Sequence, residues 1–153
     1  MNRRTLLKRS LAAGAVSVAA GAGLLSPSSV LAAYPKAAFE AKDVKGGLMA
    51  AMGAGDYAQS DDIKIKAPDI AENGSVVPVT ISSGLAGVEQ IAIFATGNAL
   101  PMVASFNTHG SHAYVSTRIK MGKTSDILAV VKAGGTLHAN KKEVKVTIGG
   151  CGG

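Results

Sequence analysis

Tryptophan is absent from this chain of 153 residues, and cysteine occurs only once. Tyrosine and phenylalanine occur three times each. A single cysteine excludes any internal disulfide, so the fold must hold together by packing alone. The shortage of aromatics, with lysines scattered along the chain, leaves no basic stripe with stacking side chains and argues against nucleic acid as a partner. Long runs of one charge sign are also missing. What is plentiful is glycine, with 19 residues, together with alanine, valine and isoleucine.

The formal charge of +6 is largely a property of the first 32 residues. Four of the 16 basic residues lie there (Arg3, Arg4, Lys8 and Arg9) with no acid, leaving 12 bases against 10 acids, a net of +2. Arg3-Arg4-Thr5-Leu6-Leu7-Lys8 matches the twin-arginine export pattern. An apolar, small-residue run from Leu11 to Leu25 follows, then Ser26-Pro27-Ser28-Ser29 and Val30-Leu31-Ala32. Cleavage after Ala32 is expected. The run is short and diluted with Gly and Ala compared with the ~20 apolar residues of a spanning helix. Residues 1–32 therefore read as a twin-arginine signal peptide, and the periplasm as the destination.

The remaining 121 residues make one domain by length. A short helix is expected from Lys36 to Met52, with Ala41, Val44, Leu48 and Met52 on one face and Gly46-Gly47 weakening it. Gly53 to Asp62 reads as a loop. Ile63-Lys64-Ile65-Lys66 alternates apolar and charged residues, as a half-buried strand does. Further strands are expected at Val76–Ser82, Val88–Ala95, Met102–Asn107, Tyr114–Met121, Ile127–Val131 and Val144–Ile148. Asn73-Gly74, Gly97-Asn98, Gly134-Gly135 and Asn140-Lys141 mark turns. Pro78 lacks an amide donor and should lie at a sheet edge or bulge. Met102–Asn107 is expected to pair with Tyr114–Met121 across Thr108–Ala113. Seven short strands at this spacing predict an all-β, immunoglobulin-like sandwich over residues 33–148, with a small open barrel as the alternative.

The chain ends Gly149-Gly150-Cys151-Gly152-Gly153. Glycine samples backbone conformations closed to other residues, so residues 149–153 read as a flexible arm carrying one thiol. A catalytic cysteine needs a base or a helix N-terminus to stabilise its thiolate. Glycines supply neither, so activation must come from a partner's active site. Five residues span at most ~17 Å at ~3.3–3.6 Å each, enough to enter a narrow pocket. The pattern points to a substrate carrier rather than an enzyme. The alternative is an interaction subunit whose Cys151 forms an intermolecular disulfide. His109 and His112, with His138, make a three-ligand metal site conceivable but weakly signalled. Asp61-Asp62 reads as a solvated acid pair, and Arg118 and Lys120 as a solvent-facing strand surface.

The terminal Gly-Gly-Cys-Gly-Gly, the twin-arginine signal and the segment Pro68-Asp69-Ile70-Ala71-Glu72-Asn73-Gly74-Ser75-Val76-Val77-Pro78-Val79 together resemble the SoxY family. The resemblance spans essentially the whole chain. It implies an immunoglobulin-like fold and a heterodimer with SoxZ. It further implies that Cys151 is loaded with thiosulfate sulfur by the haem enzyme SoxAX. The dimanganese hydrolase SoxB then releases sulfate, and in some organisms a sulfane dehydrogenase oxidises what remains. The carrier itself is implied to hold no metal or haem. For the partner interface, some of Val88–Ala95, Met102–Phe106 and Tyr114–Ile119 are expected to contribute.

Overall fold

The computed structural model describes residues 34–148. The predicted signal peptide (1–32) and the glycine arm with Gly149, Gly150, Cys151, Gly152 and Gly153 lie outside the described residues. The chain divides into two units, Met1–Tyr34 and Pro35–Gly153, and the second carries the fold.

The expected single helix is two. Helix α1 spans Lys36–Glu40 and helix α2 spans Val44–Met52. Ala41 is extended, with φ −64° and ψ 136°, and breaks the run. Asp43 then caps α2, its carboxylate accepting from the Gly46 amide at 2.7 Å. This satisfies one of the amide donors that every helix start leaves unpaired. Gly53, left-handed at φ 77°, closes α2 by donating to the Met49 carbonyl. Gly47 allows a close approach, since a Cβ there would stand 2.9 Å from Cε1 of Phe94.

Nine strands follow among the described residues: β1 (Ala58–Gln59), β2 (Ile63–Lys66), β3 (Ile70–Ala71), β4 (Val77–Ser83), β5 (Val88–Ala95), β6 (Met102–Asn107), β7 (Tyr114–Ile119), β8 (Ser125–Ala133) and β9 (Thr136–Val146). The larger sheet runs β1-β9-β8-β5-β6, with β3 also paired to β9. The smaller runs β2-β4-β7. The result is the all-β, immunoglobulin-like sandwich that the strand count predicted.

Side-chain parity divides the interior. From β5, Ile91, Ile93 and Ala95 face the second sheet, where they meet Ile63, Val77, Val79, Ile81 and Ile119. The intervening Ala92 and Phe94 pack with Leu128, Val130, Leu137 and Ala139 under Leu48 and Met52 of α2. Strands β5 and β8 are thus buried on both faces, which explains their unbroken apolar runs. The small sheet has one covered face and reads as alternation, clearest in β4.

Three expectations need correction. Strands β6 and β7 do not form a hairpin: β6 pairs with β5 and β7 with β4, so Thr108–Ala113 crosses between sheets. The Asn140-Lys141 turn is instead the middle of β9, opposite Ala129 and Leu128. Asn140 is useful there because its Nδ2 donates to the Ile63 carbonyl at 2.8 Å, tying β9 to the edge of the small sheet. Pro78 lies in the central strand β4, opposite Arg118, rather than on an edge strand. Its missing amide is tolerated because β2 ends at Lys66, paired with Thr80, so Pro78 has no partner on that flank. The Gly134-Gly135 turn between β8 and β9 stands as expected, with both glycines at positive φ (56° and 77°).

Candidate functional site at the root of the C-terminal arm

Strand β9 delivers the chain to its terminal residues. It is the longest strand, and it pairs with β8 along its length, with β1 near its start and with β3 at its end. Its sandwich-facing side is polar at Asn140 and Lys142. Lys142 donates to the Ala67 carbonyl at 2.7 Å and pairs with Asp69 at 3.0 Å. These bonds fix β9 against the connection that leads into β3.

The last described residues, Thr147 and Ile148, are gripped by backbone. Ile70 and Ala71 pair in parallel with Lys145 and Val146. The Lys145 amide donates to the Asp69 carbonyl at 3.0 Å, and the Thr147 amide to Ala71 at 3.1 Å. Thr147 Oγ1 donates to the Glu72 carbonyl at 3.1 Å. The Gly74 amide donates to the Ile148 carbonyl at 2.9 Å, while the Gly74 carbonyl accepts from the Met121 amide at 2.7 Å. From the other side, Thr124 Oγ1 accepts from the Val146 amide at 2.9 Å. Asn73 shapes the clamp by accepting from the Ser75 amide at 2.8 Å, an Asx turn. The segment Ile70–Val76 is therefore a collar around the chain three residues before Cys151. Three apolar side chains stand exposed at this end of the molecule: Ile70, Val76 and Ile148.

From the sequence only a turn at Asn73-Gly74 was expected here, and the collar was missed. Its grip is mostly main-chain hydrogen bonding, which leaves no side-chain period to detect. The signal that could have found it is the Ile-Ala-Glu-Asn-Gly segment on which the family resemblance partly rested.

The other candidates separate. His109 sits in a turn at φ 48°, while His138 lies in β9 opposite Val131. Among the described residues no group of three His, Cys, Asp or Glu is gathered as metal ligands. Asp61 and Asp62 are exposed in the turn before β2. Arg118 and Lys120 are exposed, as expected. Of the expected partner-interface strands, β5 is excluded as a binding face, because it lies between β8 and β6 with both faces buried. Strands β6 and β7 are each outermost in their sheets.

The family model described as sulfur oxidation protein SoxY matches residues 48–151, a span that begins inside α2 and ends on Cys151. Among solved structures, the chain is similar to the sulfur carrier protein SoxY from Chlorobium limicola f thiosulfatophilum. The identity is 45% with a TM-score of 0.60, over 66% of this chain and 93% of that one. A superoxide reductase (neelaredoxin) from Ignicoccus hospitalis is also similar at 18% identity and TM-score 0.52, over 59% of this chain and 94% of that one. That likeness is one of fold alone. No curated protein matches. With the match covering most of the sandwich, the collar and the lone cysteine, the chain belongs to the SoxY family of sulfur carrier proteins.

Proposed function

We propose that this chain is a periplasmic covalent carrier of sulfur intermediates in thiosulfate oxidation, with Cys151 as the attachment atom. The observation that carries the reading is the position of the only thiol: it closes the family match and follows a collar that fixes the preceding residues. The body supplies no catalytic group to that sulfur in this reading. It holds the root of the arm while partner enzymes act on the tip, and SoxZ completes a heterodimer.

The chemistry balances as two steps. In loading, the Cys151 thiol and the terminal sulfur of thiosulfate form an S–S bond, giving a cysteine S-thiosulfonate. One proton is released and two electrons leave, one at a time, through the haem of SoxAX to its electron acceptor. In hydrolysis by SoxB, water cleaves the bond between sulfur and the sulfonate group, releasing sulfate and leaving a persulfide on Cys151. No electrons move in that step. A sulfane dehydrogenase, where present, takes the remaining sulfur onward. Covalent attachment keeps these reactive anions from diffusing away between enzymes.

Cys151→Ser removes the nucleophile and leaves the collar untouched. The expected result is complete loss of thiosulfate-dependent turnover in the reconstituted system, with an unchanged unfolding midpoint. The C-terminal peptide of the wild-type chain from thiosulfate-fed cells should carry thiosulfonate or sulfane mass on Cys151, lost on reduction. Full turnover by the variant would overturn the carrier reading. A stoichiometric Cys151 disulfide between chains in active samples would favour the tethering alternative.

A further inference from the structure

Strands β2, β4 and β7 present cations and no acid on the outer face of the small sheet. The strand register places its outward residues in rows: Lys64, Ser82 and Tyr114; then Lys66, Thr80 and Ser116; then Pro78 and Arg118. Lys120 continues the outward alternation one residue beyond β7. Lys64, Lys66, Arg118 and Lys120 are all exposed. Helices α1 and α2 pack on the other sheet, so neither covers this face. The middle strand presents short side chains there, with Thr80 Oγ1 and Ser116 Oγ sharing a hydrogen bond at 3.1 Å. The long cations stand on the two rims. With neighbouring strands ~4.8 Å apart, the rims are about 10 Å from each other.

The four ion pairs of the described residues, Lys36–Glu40, Lys45–Asp56, Lys141–Asp126 and Lys142–Asp69, all lie elsewhere. Asp61 and Asp62 lie in the turn before β2, where Asp62 follows Lys64 outward at the end of the face away from the arm, and Glu72 lies in the collar. The four cations of the face make no ion pair among the described residues. A low hydroxyl-lined trough between two cationic rims is complementary to a ridge of carboxylates.

We propose that this face docks a carboxylate-rich surface on the enzymes that act on the arm, an inference that rests on the carrier reading. The collar supports it. Arg118 and Lys120 precede Met121, whose amide bonds Gly74, and Gly74 in turn bonds Ile148. One end of the cationic face thus adjoins the root of the arm, and a protein seated on the face stands next to the point from which Cys151 departs. Transient docking by charge suits a carrier that must leave as readily as it arrives, because steering raises encounter rates without deep burial. A membrane surface fits less well. Tyr114 is the one large side chain with an apolar body on the face, and the four cations stand in two rows separated by the short side chains of β4 rather than in one contiguous cluster. Charged residues also guard exposed sheet edges against aggregation. A guard works with either sign, however, whereas a docking face works with one.

That difference sets the experiment. The full exported chain, assembled with SoxZ, is compared with two variants. In one, Lys64, Lys66, Arg118 and Lys120 are all changed to Glu, and in the other all four are changed to Gln. The kcat/KM for loading by SoxAX and for hydrolysis by SoxB is measured from ~0.02 to ~0.3 M salt. For the wild type, kcat/KM at one or both enzymes falls about tenfold or more across that range. The Glu variant loses at least about tenfold at low salt and no longer falls with salt, the Gln variant lies between, and kcat holds in both. Salt profiles shared by all three proteins at both enzymes overturn the proposal. So does loss of the SoxZ heterodimer in the Glu variant, which would make the face part of the permanent interface. Binding to vesicles with about one-third phosphatidylglycerol, lost in the Glu variant while the enzyme profiles are unmoved, assigns the face to lipid and overturns it as well. Cys151→Ser run in parallel separates the two claims, since retained turnover there breaks the carrier reading itself.

Discussion

The two sheets of the sandwich follow opposite rules. The large sheet is covered twice, by the small sheet on one side and by α2 on the other, so β5 and β8 have no polar face. The small sheet is covered once, and its outer face is left to lysine, arginine, serine and threonine with Pro78 and Tyr114. Stability is therefore concentrated in the first sheet, and the second is free to carry surface chemistry. Substitutions of similar size should have very different effects in the two.

The largest effect is expected at Phe94. It is fully buried, with its ring under α2 against Gly47. Phe94→Ala should cost about 3–5 kcal/mol, the transfer loss plus a cavity that the sheet and helix cannot close. A urea titration should show a much lower midpoint with little change in slope. A loss below about 1 kcal/mol would mean that the helix layer is not part of the cooperative core.

Gly47→Leu attacks the same contact from the helix. Leucine is the better helix former by about 1 kcal/mol, but its Cβ would begin 2.9 Å from the Phe94 ring. Overpacking should dominate and destabilise by about 1–3 kcal/mol. Combining Gly47→Leu with Phe94→Ala lets the new side chain enter the space the ring vacated. The pair should then cost clearly less than the two single losses added together. Simple additivity would show that the helix shifts as a body and that the close approach has no energetic meaning.

The contrast between the sheets also explains what the sequence revealed and what it hid. Strands β5 and β6 were legible to the residue, β5 as an apolar run buried on both faces, and β2 by its Ile-Lys alternation, the period that one buried face imposes. Strands β1 and β3 were invisible. Each is two residues long and held by main-chain pairing to β9, which asks nothing of the side chains. Asn140 misled because asparagine is a turn former, whereas here its amide spans the seam between sheets. The supposed hairpin of β6 and β7 failed because proximity in sequence cannot say that a connection changes sheets. Asp43 split the expected helix by capping the second half of it. Of the candidate site, the lone Cys151 was plain from composition, while the collar that precedes it was not, since a grip made of amides and carbonyls is nearly independent of residue type.

The smallest effect is expected on the open face. Thr80→Ala and Ser116→Ala each remove a hydroxyl of the same 3.1 Å hydrogen bond. Thr80 is half-buried and Ser116 exposed, so water replaces the lost partner and neither atom is stranded. Each change should move stability by no more than about 0.5 kcal/mol, and the double variant should show coupling within the ~0.2–1 kcal/mol of a cross-strand pair. A loss above about 1 kcal/mol for either would show that folding itself constrains the outer face. Within the smaller limit, folding does not dictate what this face displays. The one-signed charge of its rims then needs a cause outside the fold, and a carboxylate-bearing enzyme surface supplies one.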